Sequence, residues 1–88
     1  MYYKMDINTF IITALENNII RELQGAKGFP IPYDLRTDEE RYRQILSESA
    51  IRLIELKPEF KGMTPRNVID FYRLGYMMKP PFDLDFLD

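Results

Sequence analysis

Eighty-eight residues with no cysteine and no histidine suit one thin-cored domain, and they exclude disulfides, thiolate zinc sites, cysteine nucleophiles and the commonest general base. Twelve Lys and Arg stand against 14 Asp and Glu, a net charge of −2 that is too balanced for whole-molecule attraction to nucleic acid or for an acidic DNA mimic. No apolar run approaches the roughly 18 residues of a membrane span, and residues 1–6 lack the parts of a signal peptide, so a cytoplasmic protein is expected, and its small size and compactness suit a bacterial or phage origin.

Asp6 is placed to cap a first helix running to about Gln24, where Gly25 can end it in the left-handed conformation. Ile7, Phe10, Ile11, Ile12, Ala14, Leu15, Ile19 and Leu23 spread over more than half of its circumference. Such a helix is expected either to be central and covered on two sides or to be shared with a second chain as a homodimer.

Residues 25–36 form a long connector in which Pro30 and Pro32 hold the backbone extended. Phe29, Ile31, Tyr33 and Leu35 alternate along it and share a face, which predicts a strap laid across the helices.

Thr37 with Glu40 makes a capping box, and Asp38 and Glu39 suit the positive end of the helix dipole. In the second helix Tyr42, Leu46, Ser49, Leu53 and Leu56 recur at alternating four- and three-residue steps beside Ile45 and Ala50, until Lys57 and Pro58 close it. A third helix starts at Thr64 and Pro65, carries Val68, Phe71 and Tyr72 on one face, and is expected to be capped by Gly75. Residues 1–79 then constitute one helical domain and 80–88 an extended or disordered acidic–hydrophobic tail. The expected fold class is all-α, a small three-helix domain with a proline-containing strap between the first two helices.

Catalytic constellations are missing from this pattern. Glu48 and Glu55 share a helical face, but no histidine or Asp-x-Asp spacing joins them into a metal or acid–base pair. Ser47 and Ser49 lie within a helix without a base, and no glycine pattern cradles phosphate. The expectation is a non-enzyme with no metal and no cofactor.

Residues 64–77 hold Thr64, Pro65, Arg66, Asn67, the aromatic pair Phe71 and Tyr72, then Arg73, Leu74 and Gly75. This segment resembles the recognition helix of MerR-type regulators and related phage excisionases. The resemblance implies that Arg66 and Asn67 face DNA and that Arg73 approaches phosphate. It covers 14 of the 88 residues, and the chain departs from the family by a long connection before the helix and an acidic tail in place of a basic wing. The tail residues 83–87 resemble the linear motif by which bacterial proteins dock on the replication sliding clamp, without its glutamine and with its last two hydrophobic residues exchanged.

Six Phe, six Tyr and five Met exceed what a thin core obviously requires. Tyr72, Tyr76, Met77, Phe82 and Phe86 are therefore the residues expected to contact another protein, with Tyr72, on the Val68 face, better suited to the core. The functional expectation is a protein-binding module, a small adaptor or an inhibitor of a larger macromolecular machine, with DNA binding through Arg66, Asn67 and Arg73 as the alternative.

Overall fold

The computed structural model describes residues 6–25 and 36–88, and these are helical with no strand among them. Three helices follow one another: α1 (Ile7–Leu23), α2 (Asp38–Leu56) and α3 (Pro65–Gly75), with single 3-10 turns at Pro58–Phe60 and Asp85–Leu87. The all-α, three-helix expectation holds. The strap residues Phe29, Pro30, Ile31, Pro32, Tyr33 and Leu35 lie outside the described residues.

Each helix begins at a side-chain oxygen that accepts a backbone N–H its own helix leaves orphaned. Asp6 accepts from Asn8 N at 3.2 Å, Thr37 Oγ1 from Glu40 N at 3.1 Å, and Thr64 Oγ1 from Asn67 N at 3.2 Å. Helix α1 ends as expected, with Gly25 at φ +75 and its N–H on the Glu22 carbonyl at 3.0 Å. Helix α2 ends at Lys57, whose φ and ψ of −103 and 113 are the extended values that a following proline imposes.

Helix α3 departs from expectation at its C-terminus. Gly75 is its last helical residue, and a Cβ added there would meet nothing within 4 Å, so neither a left-handed cap nor a close helix approach uses it. The left-handed residue is Met77 at φ +52. Met77 N donates to Leu74 O at 3.2 Å and Met78 N to Arg73 O at 2.9 Å, the pair of bonds that closes a Schellman motif two residues beyond the glycine.

Glu22 meets Arg41 at one end of the α1–α2 pair (3.7 Å) and Glu16 meets Lys57 at the other (3.4 Å), so the two helices run antiparallel. The core is built from Ile19 and Leu23 of α1, Tyr42, Leu46, Ala50 and Leu53 of α2, Phe60, and Val68, Ile69 and Tyr72 of α3. Every member of the predicted α2 stripe from Tyr42 to Leu53 is buried, Ser49 included. Helix α2 is therefore the element that the others pack around. Helix α1 does not have the two-sided cover its apolar arc suggested: only Ile19 and Leu23 are fully buried, whereas Ile7 is 74% and Phe10 63% exposed.

Residues 80–88 are not a free tail. Leu84 and Leu87 are buried with the core, and Phe82 and Phe86 pack edge-on to Tyr42 at 5.2 and 5.9 Å between ring centroids. The Tyr42 hydroxyl donates to the Phe82 carbonyl at 3.0 Å. Burying Leu84 and Leu87 and half-burying Phe82 and Phe86 adds apolar area to a core that three short helices leave thin.

Candidate protein-interaction surface

Helix α3 buries Val68, Ile69 and Tyr72, positions separated by three and four residues that face α1 and α2. That orientation turns Phe71 and Leu74, themselves one turn apart, to the outer side. Phe71 is 57% and Leu74 65% exposed, and they are followed by Tyr76 at 61% and Met77 at 89%. Phe71 keeps one edge on the body, with its ring 5.6 Å from Phe60 and 5.3 Å from Tyr72. The other three project from the last turn and its cap.

Met77 is the unusual member. A left-handed backbone costs a residue with a Cβ about 1–2 kcal/mol, and Met77 recovers none of this by burying its side chain.

The other expected contact residues fall elsewhere. Tyr72 belongs to the core, with its hydroxyl donating to Glu16 Oε2 at 2.5 Å, and Glu16 also accepts from Lys57 Nζ at 3.4 Å. Burial first, and then the bond to Glu16, push the Tyr72 phenol far above its usual value. Phe82 and Phe86 are half-buried against Tyr42, and the Arg43 guanidinium lies 5.7 Å from the Phe86 centroid. Tyr76 and Met77 thus stand on the α3 surface, whereas Tyr72, Phe82 and Phe86 are occupied by the fold. The leucines of the clamp-like motif, Leu84 and Leu87, are likewise buried in the chain's own core.

Sequence reasoning missed Phe71 and Leu74 as surface residues. The signal was Ile69: taken with Val68 and Tyr72 it centres the buried stripe on their side and leaves Phe71 at its margin.

The cations expected at DNA are engaged by the protein's own acids. Arg66 Nε donates to Asp70 Oδ2 at 3.2 Å, and its Nη1 donates to the Leu84 carbonyl at 3.0 Å and lies 3.4 Å from Asp88 and 3.9 Å from Asp85. Arg73 Nη2 sits 3.1 Å from Asp70 Oδ1. Asn67 is exposed, with its backbone N–H on the Thr64 cap.

A cleft of about 140 Å³ lies where α1 ends and α2 begins, lined by Glu22, Asp38, Arg41, Tyr42 and Phe82 among others. Burial raises the Glu22 carboxyl above its usual value, outweighing the opposing pull of Arg41. Arg41 Nε is buried without a hydrogen-bond partner, while its Nη2 pairs with Asp38 at 3.1 Å. Burial, and next the charge of Asp83, push the Tyr42 phenol up to about 12. These groups close on one another and present neither a nucleophile beside a base nor a site for a metal. Among the described residues no group of three or more acidic, His or Cys side chains could hold a metal ion, and no helix is long and apolar enough to cross a membrane.

No family model matches the chain, and no curated protein or solved structure is significantly similar to it.

Proposed function

We propose that this protein acts by binding another protein through the outer side and C-terminal cap of α3, as an adaptor or an inhibitor rather than as an enzyme. The observation that carries the reading is the run Phe71, Leu74, Tyr76 and Met77, four large apolar side chains each more than half exposed within seven residues of chain. Scattered single hydrophobic residues are normal on a surface, but a cluster of this kind on one short helix is what contact centres are made of. Methionine and aromatic side chains supply large contact area, and their burial by a partner is worth about 1.5–3 kcal/mol for each residue fully covered.

The regulator reading is carried by no such observation, because Arg66 and Arg73 spend their charge on Asp70 and on the C-terminal acids.

The test is affinity capture from host lysate with the wild-type chain, with Leu74→Asp plus Met77→Asp, and with Ile51→Asp as an exposed control elsewhere. Circular dichroism verifies that each is folded. Capture by the wild type and the control that disappears in the α3 variant is expected. Equal capture by all three, or none by any, rejects the α3 surface.

A further inference from the structure

The C-terminal segment is fastened to the body by side chains. Among the described residues its backbone–backbone bonds, Leu87 N to Leu84 O at 3.0 Å and Asp88 N to Asp85 O at 3.1 Å, are both internal to it. The anchors are Leu84 and Leu87 in the core, Phe82 and Phe86 against Tyr42, the Tyr42 hydroxyl on the Phe82 carbonyl and Arg66 on the Leu84 carbonyl. Arg66 also draws in Asp88 and Asp85. None of these anchors requires the segment to belong to the same molecule as the groove.

To reach the groove of its own molecule, the chain must turn back after α3. Arg66 stands in the first turn of α3 and holds Leu84, so residues 82–88 return along the helix they have just left. The reversal contains Met77 in the left-handed region, followed by Pro80 and Pro81, two residues of fixed φ that stiffen the hinge. A short strained hinge before a side-chain-anchored end segment is the circumstance that favours exchange between copies, because docking in trans keeps every anchor while the hinge opens.

We propose that two copies of this chain exchange residues 82–88, each segment seating against Tyr42 and Arg66 of the other copy. The second copy is the occupant that the groove fits, since its segment carries the acids at 85 and 88 that Arg66 takes, the leucines at 84 and 87, and the rings at 82 and 86. The proposal does not depend on the outer face of α3. Docking in cis competes with an effective concentration in the millimolar range set by the short hinge, so exchange sets in as the protein concentration approaches about 1 mM.

Three measurements on the full chain test it. Light scattering on the wild type is expected to show dimers that grow with concentration, and Met77→Gly, which relieves the hinge, to need roughly tenfold more protein for the same dimer fraction. Arg66→Glu and the double variant Asp85→Lys, Asp88→Lys each repel their own segment, whereas an equimolar mixture restores both pairings in trans; dimers in the mixture and monomers in each alone are expected. Should those variants fail to fold, a wild-type sample mixing isotope-labelled and unlabelled copies is to show cross-peaks between Tyr42 of one and Phe86 of the other. A wild type that stays monomeric up to about 1 mM, or a dimer without those intermolecular cross-peaks, overturns the proposal.

Discussion

At the scale of single residues, the local cost at Met77 is directly measurable. Glycine occupies φ +52 without a Cβ penalty, so Met77→Gly is expected to stabilise the fold by about 0.5–1 kcal/mol in urea denaturation. If the α3 surface works as proposed, the same change weakens partner capture, which separates what the residue does for the fold from what it does for binding. Tyr72 is the opposite case, a side chain whose ring and hydroxyl are both used. Tyr72→Phe keeps the ring and leaves Glu16 to Lys57, at an expected cost of about 1–2 kcal/mol. The raised phenol values of Tyr42 and Tyr72 mean that the folded chain holds these protons more tightly than the unfolded one. The contribution of each is complete below the ordinary tyrosine value of 10.0; that of Tyr42 is lost as pH rises through about 12, and that of Tyr72 only at still higher pH. Glu22 has the same sign in the acid range: its raised carboxyl value makes ionisation a burden on the fold once pH rises above its usual 4.5. Glu22→Gln is therefore expected to be more stable than the wild type at neutral pH, with the difference vanishing below about pH 4, as thermal denaturation across that range will show.

At the scale of elements, the helix starts were fully legible because a cap is a local event. Asp6, Thr37 and Thr64 each satisfy a backbone donor two or three residues away, and nothing distant can alter that need. Thr64→Ala is expected to cost about 1 kcal/mol, mostly by fraying the first turn of α3. Helix ends were less legible. Gly25 ends α1 as its residue type suggests, but Gly75 is the last residue of α3 rather than its left-handed cap, with the Tyr76 N–H still bonded to the Tyr72 carbonyl at 3.1 Å and the left-handed turn falling at Met77. Where the chain turns there is decided by the path its last residues must take to the core, and that path is tertiary. The C-terminal segment was the element hardest to read: alternating acids and hydrophobic residues suit a solvated tail, a peptide ligand or a clasp equally well. Only the proximity of Tyr42, Arg66 and the α2–α3 core selects the clasp. Leu87→Ala is expected to destabilise the whole domain by about 2–4 kcal/mol in a single transition, as befits a core residue rather than a tail.

At the scale of the whole molecule, the chain places its apolar surplus unevenly. Among the described residues most of it forms one core shared by three helices and the C-terminal segment, while exposed large side chains stand at the start of α1, at Ile51 and at the end of α3. The charges follow a related economy. Residues 57–79 carry five cations against two acids, yet Arg66 and Arg73 converge on Asp70, and Asp85 and Asp88 come back to Arg66, so a local excess visible along the chain is largely cancelled in space. That cancellation is why an arginine at the head of a capped helix, the feature that resembles DNA-binding regulators, is a structural tie here. Residue order by itself determined the fold class, the helix starts and the α2 stripe, because hydrogen-bond geometry and the 3.6-residue period act over a few residues. Tertiary structure alone decided which apolar side chains are core and which are surface. A helix too apolar for one contact can hide its excess only if other elements reach it, and that depends on where the ends of distant segments meet.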